Sequence, residues 1–160
     1  MATIILLCGL PGSGKTTLAQ HLARERPALR LGEDDWMVQL FGSTTGHDEA
    51  QRDAIKQVQW EIAVRVAQLG RDVVLDWGFW SRAEREDYRT RASALGVKTE
   101  LRFLDVPLEE LVHRLDWRSR DPRSTSFPVS EAELRQWWEV FEPPTADELK
   151  PIPDSNRRTP

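Results

Sequence analysis

The sequence is poor in the groups that staple or anchor a small protein from outside its core. It holds one cysteine, Cys8, so no internal disulfide can form. That thiol closes the apolar run Thr3 to Cys8, where a small buried side chain is expected rather than a reactive one. Long apolar stretches are missing too. Ile4-Ile5-Leu6-Leu7 is far too short for a signal segment or a membrane span, and no basic leader precedes it. A cytoplasmic protein with no membrane attachment is therefore expected. Nor is there a surplus of positive charge: the formal net charge is -4 and the pI about 5.5, so a long polyanion meets mild repulsion. This counts against extended nucleic-acid binding unless a local basic groove outweighs it. No repeat and no interior linker divides the 160 residues, a length that can bury one core. A single domain over residues 1–150 is expected, with a loosely ordered tail from Pro151 to Pro160 that lacks apolar periodicity.

What is present alternates. Apolar runs of strand length (Thr3 to Cys8, Ala28 to Leu31, Val73 to Leu75, Val97 to Leu104) are each followed by a segment of helical period. These segments are Lys15 to Glu25, a long stretch ending near Leu69, Ser81 to Leu95, and Leu108 to about Trp117. The order predicts an α/β protein with a parallel sheet of about four or five strands between two helix layers. Ser81-Arg-Ala-Glu84 and Ser130-Glu-Ala-Glu133 both fit a capping box and predict helix starts. Ile55, Val58, Ile62, Val66 and Leu69 predict one buried stripe, with Gly70 ending that helix and Trp60 lying off the stripe.

Between the first strand and the first helix stands Gly9-Leu-Pro11-Gly12-Ser13-Gly14-Lys15-Thr16, followed by Thr17. This matches G-x-x-x-x-G-K-[ST] in full and in the strand-to-helix context the motif requires. Its glycines let successive amides close around phosphate oxygens, and the helix N-terminus adds partial positive charge. Lys15 is expected on the β- and γ-phosphates of ATP and Thr16 on Mg²⁺.

Val73-Val-Leu-Asp76 ends an apolar strand in a carboxylate, which suits a second hold on Mg²⁺; a turn or cap role is the alternative. Asp34 and Asp35 lie beyond the carboxyl end of the second strand, the ligand side of an open α/β sheet. One of them is expected to orient an acceptor hydroxyl and the other to cap the next helix. Trp36 follows that pair, while Trp77, Phe79 and Trp80 follow Asp76. Together these suggest an apolar or stacking wall for an acceptor, against the alternative of space-filling rings. Trp137 and Trp138, on a late helix, are read as packing. Phe141-Glu-Pro-Pro-Thr145 suits either one side of an adenine slot or a helix stop.

With these residues placed, the chain resembles the small P-loop kinases of the polynucleotide kinase, zeta-toxin and chloramphenicol phosphotransferase type, often labelled AAA-family ATPases. The likeness covers residues 2–120. It implies a single P-loop kinase-like domain with an arginine-bearing lid. By the match of Glu33-Asp34-Asp35-Trp36-Met37 to the family's acidic segment, Asp34 inherits the general-base role. After Asp105-Val106-Pro107, Arg114 and Arg118 correspond to lid arginines. A guanidinium that follows charge onto the transferred phosphoryl group suits the same assignment, although Arg118, Arg120 and Arg123 also suit ordinary ion pairs. The arginine that follows the acidic pair in polynucleotide kinases is Met37 here, which counts against a nucleic-acid acceptor.

The sequence thus predicts an ATP- and Mg²⁺-dependent phosphotransferase acting on a hydroxyl of a small molecule such as an antibiotic, nucleoside or metabolite, working as a monomer or weak dimer. The expected catalytic residues are Asp34, Lys15 and Arg118. The phosphate loop and Arg114 join them at the nucleotide, and Asp35, Trp36, Trp77 and Trp80 at the acceptor. A polynucleotide 5′-hydroxyl kinase and a nucleotide switch without an acceptor are the alternatives.

Overall fold

A computed structural model describes residues 2–42, 48–124 and 127–150; the expected tail lies outside them. The elements run β1 (Thr3–Cys8), α1 (Lys15–Glu25), β2 (Ala28–Gly32), α2 (Glu33–Phe41), α3 (Glu49–Gln68), β3 (Asp72–Gly78), α4 (Arg82–Ala94), β4 (Lys98–Phe103), α5 (Leu108–Arg120) and α6 (Glu131–Val140). The four strands form one sheet in the order β2-β3-β1-β4, and every pairing is parallel. Each connection crosses back over a helix, as a parallel sheet demands.

Strand alternation sorts the core into two layers. On one face Ile5, Leu7 and Val74 pack with Ala19 and Leu22 of α1. On the other, Ile4, Leu6, Cys8, Val73, Leu75 and Trp77 pack with Trp60, Ala63 and Ala67 of α3 and with Tyr88 and Ala92 of α4. A third cluster joins Leu10 of the β1–α1 loop to Leu111 and Leu115 of α5 and Leu134 of α6, so these last helices sit against the carboxyl end of the sheet.

Both serine-led starts form. Ser130 and Glu133 make the complete reciprocal box. Ser81 accepts from the Glu84 amide at 3.1 Å, but the Glu84 carboxylate turns to Lys56, 2.7 Å away. α3 ends as expected at Gly70. There the Gly70 amide donates to Ala67 and the Arg71 amide to Val66 across a left-handed φ of 81°.

Two expectations change. The long helical stretch is two helices, with Gly42 closing α2 and Asp48 capping α3 by accepting from the Gln51 amide at 3.0 Å. The buried face of α3 is also rotated from the expected stripe. Ile55, Gln59, Trp60, Ala63 and Ala67 are buried, while Val58 and Leu69 are 48% and 67% exposed. Small alanines let the helix approach the sheet closely. Gln59 is buried because it joins two strand ends: its Nε2 donates to the Gly32 carbonyl at 3.0 Å, and its Oε1 accepts from Trp77 Nε1 at 2.6 Å. Replacing Gln59 by Leu keeps the volume and strands both partners, so urea denaturation should show a loss of about 2 to 4 kcal/mol. A stability within about 0.5 kcal/mol of the parent would contradict this role.

Candidate active site

The phosphate loop runs from the end of β1 into α1. Gly12 and Gly14 hold φ of 84° and 96°, values that L side chains avoid, and a Cβ on Gly12 would sit 3.2 Å from Leu115. Gly14 stands at the N-cap of α1 with no side-chain cap, so the first-turn amides of Lys15, Thr16 and Thr17 keep the open character that receives an anion. Ser13 Oγ is buried in the loop without a hydrogen-bond partner. These features fit a polyphosphate. Lys15 Nζ donates to the Leu10 carbonyl at 3.0 Å across the loop. Its pKa is lowered by desolvation, against the pull of Asp76 and then Asp34. Pro11 is partly exposed on the loop's rim.

Asp76 lies in β3 on the α1 side, two residues beyond Val74 on the same face. Its Oδ2 accepts from Thr16 Oγ1 at 2.9 Å, which joins the strand-end acid to the phosphate loop. The same oxygen accepts from Arg30 Nη2 at 2.9 Å, and Arg30 Nη1 donates to Asp35 Oδ2. No local sequence motif marks Arg30. Strand parity carries the signal, because Arg30 pairs in register with Val74 and so shares the face of Asp76.

Asp34 and Asp35 occupy the first turn of α2, whose N-cap is Gly32, so neither aspartate caps the helix. Both carboxylates instead complement the helix dipole. The Asp34 side chain is 68% exposed and accepts from Arg52 Nη1 at 2.8 Å. Asp34 adds, after Asp76, to the negative charge felt by Lys15, and it is the carboxylate whose charge reaches Arg118. Arg118 is half-buried on α5, and desolvation lowers its pKa. Arg120 pairs with Asp116 and Arg123 with Asp121, both exposed, as ordinary ion pairs do. Arg114 pairs with Glu110 and also donates to the Gly12 carbonyl at 3.4 Å.

The aromatic wall does not form as expected. Trp77 follows Asp76 along β3 and must therefore face the opposite layer; its ring is 4% exposed and packs with Phe79 and Tyr88. Trp80 packs tilted against Trp137, ring centroids 5.4 Å apart, in the α5–α6 cluster, while Trp36 packs on the main core and on the Met37–Ile55–Phe127 cluster. Met37 is fully buried there. Beside the phosphate loop lies a cavity of about 250 Å³, bounded by Leu10, Leu104, Asp105, Trp138, Phe141 and Pro143.

Next to Asp34, the Glu33 carboxylate is buried, with Arg52 at 3.4 Å and Lys56 at 3.8 Å. Arg52, Lys56 and Gln59 recur at helical spacing, a polar stripe on α3 that an apolar search passes over. Burial pushes the Glu33 pKa up from 4.5 to about 7 despite these cations. Between those values the folded protein holds a proton that the unfolded chain releases, so this stabilisation is complete below pH 4.5 and lost as the pH rises through about 7. Glu33→Gln should flatten the decline in thermal stability that the parent shows between about pH 5 and 8. An unchanged pH slope would contradict the assignment.

With this geometry in place, comparison with known proteins is informative. A family described as an AAA domain matches residues 4–144. A probable adenylyl-sulfate kinase of Aeropyrum pernix is 26% identical over 161 residues, which span 96% of this chain and 84% of that one. Among solved structures, a chain of the Pnkp1/Rnl/Hen1 RNA repair complex superposes with a TM-score of 0.73 at 22% identity. The match covers 95% of this chain and 48% of that one, so the chain spans about half of its length. Kti12 of Chaetomium thermophilum in complex with ADP-AlF3 superposes with a TM-score of 0.70 at 17% identity, covering 89% and 81% of the two chains. The chain therefore belongs to the AAA domain family and has the α/β fold of P-loop kinases.

Proposed function

We propose that this protein is an ATP-dependent phosphotransferase that moves the γ-phosphoryl group to a hydroxyl of a small molecule. The observation that carries this reading is the placement of Asp34. Its exposed carboxylate stands in the first turn of α2, just past the carboxyl end of β2 and so at the same end of the sheet as the phosphate loop, and Arg52 holds it at 2.8 Å. A loop that only binds nucleotide needs no such acid.

In this reading the first-turn amides of α1 and Lys15 hold the β- and γ-phosphates, and the adenine enters the cavity between Leu104 and Phe141. Mg²⁺ would rest on Thr16 and Asp76 and, when bound, neutralises the phosphate charge. Among the described residues no cluster of three acidic, His or Cys side chains forms a metal cage, so triphosphate oxygens would complete the coordination. Asp34 orients the acceptor hydroxyl and takes its proton, with Arg52 holding the carboxylate in place. Arg118, half-buried on α5, supplies counter-charge as negative charge shifts onto the transferred group. Trp36 and Asp35 border the acceptor side.

The test is a transfer screen with Mg-ATP against sugars, nucleosides, aminoglycoside- and phenicol-type antibiotics, adenylyl-sulfate and a 5′-hydroxyl oligonucleotide. At least one small hydroxyl compound should stimulate turnover, and Asp34→Asn should lower kcat for it by about 10²- to 10⁴-fold. Stimulation by the oligonucleotide alone would favour the polynucleotide kinase alternative. Hydrolysis indifferent to every acceptor and to Asp34→Asn would leave only a nucleotide switch.

A further inference from the structure

One heavily hydrogen-bonded side chain lies outside the reacting groups. Arg85 of α4 is fully buried, and its guanidinium is spent on two separate parts of the chain. Nε and Nη2 form a fork on the Glu148 carboxylate at 2.7 and 3.1 Å. Nη1 donates to the Phe79 carbonyl at 3.0 Å and to the Glu142 carbonyl at 2.9 Å. Glu148 is buried as well, and its Oε2 accepts from the Thr145 amide at 3.0 Å. The segment from Phe141 to Leu149, which has no regular helix or strand, is thereby fixed at both ends by one cation.

The other end of this bond set reaches the phosphate loop. Phe79 holds a left-handed φ of 47°, costly for a residue with a side chain, and its carbonyl receives both Arg85 and the Cys8 thiol, the latter at 3.2 Å. One residue earlier, the Gly78 carbonyl accepts from the Gly9 amide at 2.9 Å. The chain from Gly78 to Phe79 is thus gripped by the foot of the phosphate loop on one side and by Arg85 on the other. Outer contacts complete the latch: the Arg82 amide donates to Glu142 at 2.7 Å, and the Glu142 amide donates to the Trp80 carbonyl at 2.9 Å.

We propose that Arg85 is a positioning residue for the nucleotide base, locking the Phe141–Pro143 wall of the cavity in register with the phosphate loop. This inference rests on the reading of that cavity as the base slot. The bonds of Arg85 join the segment bearing Phe141 and Pro143 to the strand end that carries the loop. Burying an ion pair is seldom more stabilising than an apolar pair of the same size, whereas geometry is what a fully bonded guanidinium fixes.

The test separates base from phosphate binding. Calorimetric titration measures the affinity of the parent and of the double variant Arg85→Met/Glu148→Leu for MgATP and for inorganic tripolyphosphate with Mg²⁺. The apolar pair fills the space without leaving a buried charge alone. Glu148→Gln, which keeps shape and one acceptor oxygen but removes the counter-charge of Arg85, is a second variant read in the same way if the double variant does not melt cooperatively. MgATP affinity should fall about tenfold in the double variant and less in Glu148→Gln, while tripolyphosphate affinity stays within about twofold. Equal loss for both ligands, or unchanged MgATP affinity in a folded variant, would overturn the proposal. A parent that binds tripolyphosphate as well as MgATP would remove the base slot, and with it this inference, while leaving the phosphate site standing. A parent that binds neither would overturn the donor-site reading itself.

Discussion

The hydrogen bond from Thr16 to Asp76 organises the molecule. It ties the first turn of α1 to the end of β3, and it requires β1 and β3 to be neighbours so that the phosphate loop and the strand-end acid meet. The parallel sheet makes the contact possible, because only crossover connections bring successive strands to the same end with all their carboxyl termini aligned. Arg30 then enters from β2 on the other side of the same carboxylate and carries the grip on to Asp35. Three consecutive βα units thus converge on one oxygen atom.

Around this centre the charges come in opposed pairs. Asp34 and Glu33 are set against Arg52 and Lys56, and Asp35 and Asp76 against Arg30. Such balance lets a cluster of acids stand near the phosphate loop, the proposed site of an anionic donor, without prohibitive repulsion. It also rations mobility. The carboxylates are held by side chains rooted in β2 and α3, which are themselves locked by Gln59 and the sheet. Arg118 projects from a helix that packs through Leu111 and Leu115 on the loop. The charge expected to follow the phosphoryl group therefore sits on a different layer from the charges that hold the acids.

Much of the fold was legible because its signals are local. The phosphate loop, the serine-led starts of α4 and α6, and Gly70 at the end of α3 each depend on a few adjacent residues whose chemistry admits one conformation. The misreadings came where a residue's partner is distant in sequence. Trp77 was grouped with Asp76 by adjacency, though period-two alternation sends neighbours in a strand to opposite faces. The face of α3 was misplaced because alanines and a glutamine, not the large apolar residues, make its buried contacts. One of Asp34 and Asp35 is expected as a cap from the sequence, but the helix begins earlier, at Glu33. Arg30, Arg52 and the Arg85–Glu148 pair escaped because a buried cation is recognised only once its carboxylate is known, and Glu148 lies 63 positions from Arg85.

The central claim is that Thr16 and Asp76 form the protein's share of a magnesium-nucleotide site. Titration of ATP into the parent and into Asp76→Asn, each with and without Mg²⁺, addresses it most directly. The account predicts that Mg²⁺ strengthens ATP binding to the parent and that Asp76→Asn loses most of that gain while still binding ATP. Equal affinity with and without the cation, or a magnesium effect untouched by the substitution, would contradict it.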